Sequence, residues 1–205
     1  MKKSVGFIIA AVLMFMHTEI LSAAVRSFTM SASVPAATGV SLGVSSVTGS
    51  GTASLPSTAT TLSFNSMAYD ATNGFWEPNN TFVLDVAPSG GSGSVTTVVT
   101  YTEGTNQNNT TGGHGLGHKA TATFMKTTGS GSATTDTLIA AHGKKRLIDL
   151  TGGETVTPAE VAGGWLRVYM GIVTDPSVVS GSEIFSNADH SGQYDGTVTV
   201  TTTAS

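Results

Sequence analysis

Arg26-Ser27-Phe28-Thr29-Met30-Ser31-Ala32-Ser33-Val34 alternates with a period of two: Phe28, Met30, Ala32 and Val34 are apolar, and the residues between them are polar. Successive side chains of a strand point to opposite faces, so this segment predicts a half-buried β-strand. The pattern recurs along the chain. Leu62 and Phe64 follow a small-residue stretch, and Phe82, Leu84 and Val86 alternate after a loop expected over residues 73–80. Val95, Val99 and Tyr101 share a face. Ala120, Ala122 and Phe124 alternate with Thr121 and Thr123, and residues 146–150 read as a shorter strand. Residues 165–173 are apolar on both faces, which predicts a central strand. Residues 193–203 close the chain, with Tyr194, Val198 and Val200 opposite Thr197, Thr199 and Thr201.

Composition supports the same fold class. The 33 Thr, 24 Ser and 25 Gly fill 82 of 205 positions, and only 11% of residues are charged. Thr suits a pleated strand surface, while Gly and Ser supply tight connections. A hydrophobic fraction of 39% with a net charge of −4 argues for a folded chain and against disorder. That acidic balance also lacks the footprint of a nucleic-acid binder. We therefore expect an all-β domain of seven to nine short strands, arranged as a β-sandwich with Greek-key links, with a small barrel as the competing architecture. Tracts at 45–61, 88–94 and 127–137 read as surface loops. One short helical signal stands out: Thr157 with Glu160 matches a capping box, Pro158 suits the first helical position, and Gly163 can end the turn.

The N-terminus reads as a secretory signal peptide over residues 1–24. Lys2 and Lys3 form a positive start, residues 5–16 are almost wholly apolar, and Ser22 and Ala24 provide small residues before a cleavage point. The apolar run falls short of the roughly 20 residues needed to span a bilayer, and His17 and Glu19 interrupt it. Cleavage would leave a chain starting at Val25 with seven basic and twelve acidic residues, a net of −5. With no cysteine, such a secreted domain has neither a disulfide framework nor a thiolate metal site. Its stability must come from one core.

Candidate chemistry is sparse. His114 and His118 stand in Gly-Gly-His-Gly-Leu-Gly-His, where the glycines oppose the helix that would bring both imidazoles to one side, and no third ligand is specified. Lys144, Lys145 and Arg146 read as a solvated turn, with a polyanion contact as the sharper alternative. Trp76 and Glu77 lie in the expected Asn-rich loop, where they offer a sugar-binding platform or simply cover the end of a sandwich. Asp70, Asp85, Asp149, Asp175, Asp189 and Asp195 are scattered and form no evident acid/base pair. A Gly-x-Ser-x-Gly elbow does not occur. The sequence thus assigns no catalytic, cofactor-binding or metal-ligating residue, and we do not expect an enzyme.

The two ends of the mature chain carry a resemblance. Val25-Arg26-Ser27-Phe28-Thr29-Met30-Ser31-Ala32-Ser33-Val34-Pro35 and the closing Gly192-Gln193-Tyr194-Asp195-Gly196-Thr197-Val198-Thr199-Val200-Thr201 resemble chaperone–usher pilus subunits. The lack of cysteine is most similar to the CS1-type (alpha) fimbrial major subunits. The resemblance implies an incomplete immunoglobulin-like sandwich, residues 37–205, preceded by a donor-strand extension, residues 25–36, that completes the next subunit. Phe28, Met30, Ala32 and Val34 would then be the inserted side chains, and Tyr194, Val198 and Val200 would belong to the receiving final strand. Implied partners are further copies of the chain, a periplasmic chaperone, an outer-membrane usher and a host or surface glycan, with the filament at the cell surface. The alternative expectations are that residues 25–34 are simply the first strand of their own sandwich, and that the chain is a monomeric secreted carbohydrate-binding or adhesin module.

Overall fold

A computed structural model describes residues 27–33, 40–48, 61–64, 67–78, 80–88, 95–106, 115–128 and 136–204, with the backbone alone described for 27–33, 40–48, 61, 88 and 204. The expected signal peptide, Val25, Arg26, Val34 and His114 lie outside the described residues. So do residues 49–60, 89–94 and 129–135 of the three expected surface tracts.

The fold is an all-β sandwich. Its strands are β1 (Ser27–Ser33), β2 (Val40–Thr48), β3 (Thr61–Ser63), β4 (Met67–Asp70), β5 (Phe75–Pro78), β6 (Asn80–Pro88) and β7 (Val95–Glu103), followed by β8 (Ala120–Thr127), β9 (Thr137–Leu138), β10 (Lys144–Arg146), β11 (Glu154–Val156), β12 (Trp165–Ile172), β13 (Phe185–Ser186) and β14 (Gln193–Ala204). One sheet has the order β11-β7-β14-β1-β3 and the other β10-β8-β12-β6-β2, with β9 also paired to β8. A small third sheet has the order β13-β5-β4. The count exceeds the expected seven to nine because β3, β9, β10, β11 and β13 are only two or three residues long, and because residues 45–48, expected within a surface tract, belong to β2.

The alternating positions build the core. Phe82, Leu84 and Val86 of β6, Ala122 and Phe124 of β8, and Leu166, Val168 and Met170 of β12 face Val99 and Tyr101 of β7 and Tyr194, Val198 and Val200 of β14, all buried in one cluster. Strand β12 is central, as expected, lying between β8 and β6. Its second face is only half buried at Trp165, Tyr169 and Gly171, not apolar and buried as the run predicts. Arg167, only 3% exposed, occupies the middle of that face.

Three local expectations are corrected. Residues 146–150 do not form a strand: β10 ends at Arg146, and Leu147–Leu150 is a 3-10 turn held by Asp149, whose Oδ2 accepts the Arg146 amide at 3.3 Å. Residues 73–80 are not wholly loop, because Phe75–Pro78 forms β5 and Trp76 packs against the core. Lys144–Arg146 is not a solvated turn; it pairs with Thr121, Ala122 and Thr123 of β8. The Thr157 signal gives tight turns as expected, with Glu160 Oε2 accepting from the Thr157 amide at 2.7 Å and hydroxyl at 2.8 Å. Gly163 ends them at φ +77°, a conformation that favours glycine.

Candidate assembly site

Residues 27–33 lie inside the first sheet, paired with strands of the same chain. Strand β1 runs parallel to β14, with Phe28 in register with Tyr194, Met30 with Gly196 and Ala32 with Val198. Its other edge is antiparallel to β3, placing Met30 opposite Leu62. The expected insertion residues Phe28, Met30 and Ala32 therefore share register with alternate positions of the expected receiving strand. Tyr194, Val198 and Val200 are 2%, 0% and 0% exposed.

The receiving strand is fixed from its other side. Strand β7 pairs antiparallel with β14 from Gly196↔Glu103 to Ala204↔Val95. Gly196 is required there, because a Cβ at this position would overlap the Tyr101 hydroxyl. That hydroxyl donates to Glu103 Oε1 at 2.8 Å, and Glu103 Oε2 accepts the Gly117 amide at 3.0 Å. Burial pushes the Glu103 carboxyl above its usual range, against the lowering effect of those two bonds. Tyr194 is anchored at both ends. Its hydroxyl donates to the His190 carbonyl at 2.9 Å, and its ring meets Phe185 edge to face at 4.9 Å.

Glu103 also explains the glycine-rich segment. Leu116–Lys119 makes a helical turn that the glycines argued against, with Leu116 fully buried and the Glu103 carboxylate bound to its first turn. His118 lies in this turn, its Nδ1 3.4 Å from Arg146 Nη1. The described residues contain no cluster of three or more His, Asp or Glu placed to hold a metal ion.

Three polar clusters escape sequence reasoning, two because their members are far apart in the chain and the third, within residues 142–160, because its members come from successive short strands and turns. Arg167 grips Asp85 with two bonds of 2.7 and 2.8 Å, and its Nη1 is 3.5 Å from Asp136, which also accepts from the Tyr169 hydroxyl. The Asp85 carboxylate holds the Arg167 guanidinium firmly charged. His142 sits between Glu154, which binds its Nδ1, and Glu160, 3.1 Å from its Nε2; Lys145 reaches Glu154 at 2.7 Å. Lys119, 3% exposed, is 2.8 Å from Asp189 and 3.4 Å from Glu183. Burial would raise the Asp189 carboxyl, but the Lys119 ammonium and the Ser186 amide outweigh it and hold the group below its ordinary range. The only advance signal was Arg167, placed within an otherwise apolar strand pattern.

Of the remaining carboxylates considered, Asp70 accepts the Thr72 amide, Asp175 the Ser177 amide and Asp195 the Asn106 amide. Each of these bonds orders local backbone. No helix among the described residues is long and apolar enough to cross a membrane. The chain matches no protein-family model and no curated protein.

Proposed function

We propose that the protein is a structural subunit of a bacterial surface filament, assembled when the segment at residues 25–36 of one copy completes the first sheet of the next. The observation that carries this reading is the parallel placement of β1 between β14 and β3. Among the described strands this is the only parallel pairing. Parallel pairing is slightly less stable per residue than antiparallel pairing, so this slot is the natural place for exchange. On cleavage of the expected signal peptide its occupant would come from the end of the chain, and residues 34–39 separate it in sequence from β2. A strand added to an open edge gains main-chain hydrogen bonds wherever it originates, while alternate side chains set specificity. In this reading the sandwich is immunoglobulin-like with Greek-key links. A chaperone protects the open edge before assembly, and the chain is exported by a cleaved signal peptide.

Ser31 and Thr197 are register partners across β1 and β14, and the chain has no cysteine of its own. Replacing both, Ser31→Cys and Thr197→Cys, is expected to yield disulfide-linked ladders in the sheared surface fraction on non-reducing gels. A disulfide confined to single chains would overturn exchange between subunits.

A second reading is favoured by one observation. Tyr69, 39% exposed, lies beside Trp76 with ring centroids 5.2 Å apart, and Trp76 Nε1 donates to Asn187 Oδ1 at 3.2 Å. An aromatic pair flanked by an amide suits a carbohydrate ring. On this reading Tyr69→Ala abolishes retention on a glycan array without changing the melting temperature. Unchanged retention would reject it.

A further inference from the structure

We propose that Lys119 and Asp189 condense into an intramolecular isopeptide bond, with Glu183 as the proton carrier. This inference stands apart from the filament reading, because it needs only the folded chain. Lys119 leaves the helical turn just before β8, whereas Asp189 lies in the connection between β13 and β14. Folding thus brings together two residues separated by most of the second half of the chain. Their side chains are 3% and 11% exposed, with Nζ 2.8 Å from Asp189 Oδ1. The Phe185 ring lies 5.2 Å from Nζ.

The surroundings supply what condensation requires. Nζ is also 3.4 Å from Glu183 Oε2 and 3.0 Å from the Ile184 carbonyl, so a second carboxylate stands at the amine itself. Asp189 Oδ2 accepts the Ser186 amide at 2.7 Å and the Ser186 hydroxyl at 3.3 Å. These donors are placed to hold negative charge on Oδ2 when Nζ attacks Cγ, as preorganised donors do for an oxyanion. An ion pair shielded from water carries a desolvation penalty on both partners, whereas the neutral amide carries no net charge. The site therefore favours the condensed product more than bulk water does.

The atoms balance without a co-reactant. One ammonium proton passes through Glu183 to Asp189 Oδ1, leaving a neutral amine and a carboxylic acid. Nζ then attacks Cγ and forms the C–N bond. A second proton from Nζ passes through Glu183 to Oδ1, the Cγ–Oδ1 bond breaks, and Oδ1 leaves as water. Glu183 ends in its starting state. Its partly exposed side chain connects the site to solvent.

Intact-mass spectrometry of the full mature chain tests the proposal. Wild-type protein is expected to weigh one water less than its sequence, and proteolysis should give a branched fragment joining Lys119 to Asp189. Lys119→Arg and Asp189→Ala should each restore the full mass. Glu183→Gln should slow formation of the bond by roughly 100-fold, the scale of lost proton-transfer catalysis. Folded wild-type protein that keeps its full mass after prolonged incubation would overturn the proposal. So would a loss of water with Lys119 free, which would mark a succinimide at an aspartate.

Discussion

At the middle of β12, Arg167 is a cation almost without access to water, and its charge is balanced chiefly by Asp85, which meets it with two bonds, with Asp136 at 3.5 Å as a second, longer partner. Breaking a buried pair leaves one charge uncompensated, so Asp85→Ala is expected to cost about 3–5 kcal/mol in denaturant unfolding. The double change Asp85→Ala with Arg167→Met should recover a large part of that loss. A double variant no more stable than Asp85→Ala would show that the pair is not what holds this face together. Residue by residue, the inward positions were legible in the sequence: Phe82, Leu84 and Val86 announce themselves because the period of a strand is local. Arg167 did not announce its partner. The apolar run around it reads as buried, but the Asp85 that makes burial possible is 82 residues away, and periodicity carries no information over that distance.

Among the elements, the turns after β11 give the clearest pH response. The Thr157 amide and hydroxyl, together with His142, pull Glu160 from its ordinary 4.5 down to about 2. A carboxyl whose folded value is depressed contributes stability that is fully present above its unfolded value and is lost as pH falls through the folded one. The window is therefore from about 4.5 down to about 2. Glu160→Gln should lower the melting temperature at neutral pH by a few degrees, and the two proteins should converge as the pH approaches the lower limit. A constant offset down to that limit would contradict this assignment. Glu103 acts in the opposite sense: its carboxyl is raised, so the stability it contributes at low pH is lost as pH rises through the folded value. The Thr157 turn was readable because its partners are three residues apart. Strand β10 was not, because Lys145 looks solvated until Glu154, nine residues on, is brought beside it.

For the molecule as a whole, β1 determines whether the first sheet is continuous. Without it, β14 and β3 would each present an unpaired edge, and exposed edges template association. Deleting residues 25–33 should therefore give a chain that aggregates on refolding, while a synthetic peptide of residues 25–34 added in excess should restore a soluble species on size-exclusion chromatography. A truncated chain that stays folded and monomeric without peptide would show that the slot needs no occupant. The alternation of residues 26–34 and 193–203 revealed two strands, and in the second its inward residues Tyr194, Val198 and Val200. It did not reveal that they are neighbours, nor that they run in the same direction, because a period of two specifies faces and leaves pairing partner and polarity open.

That shared direction governs how the protein responds to tension. Ser27 lies level with Gln193 and Ser33 with Thr199, and β14 continues onward to Ala204. Pulling the chain before Ser27 and the chain after Ala204 in opposite directions drags β1 and β14 lengthwise past each other. The bonds of the ladder then share the load at once and must rupture together. An antiparallel β1 would be peeled open from one end, one rung at a time.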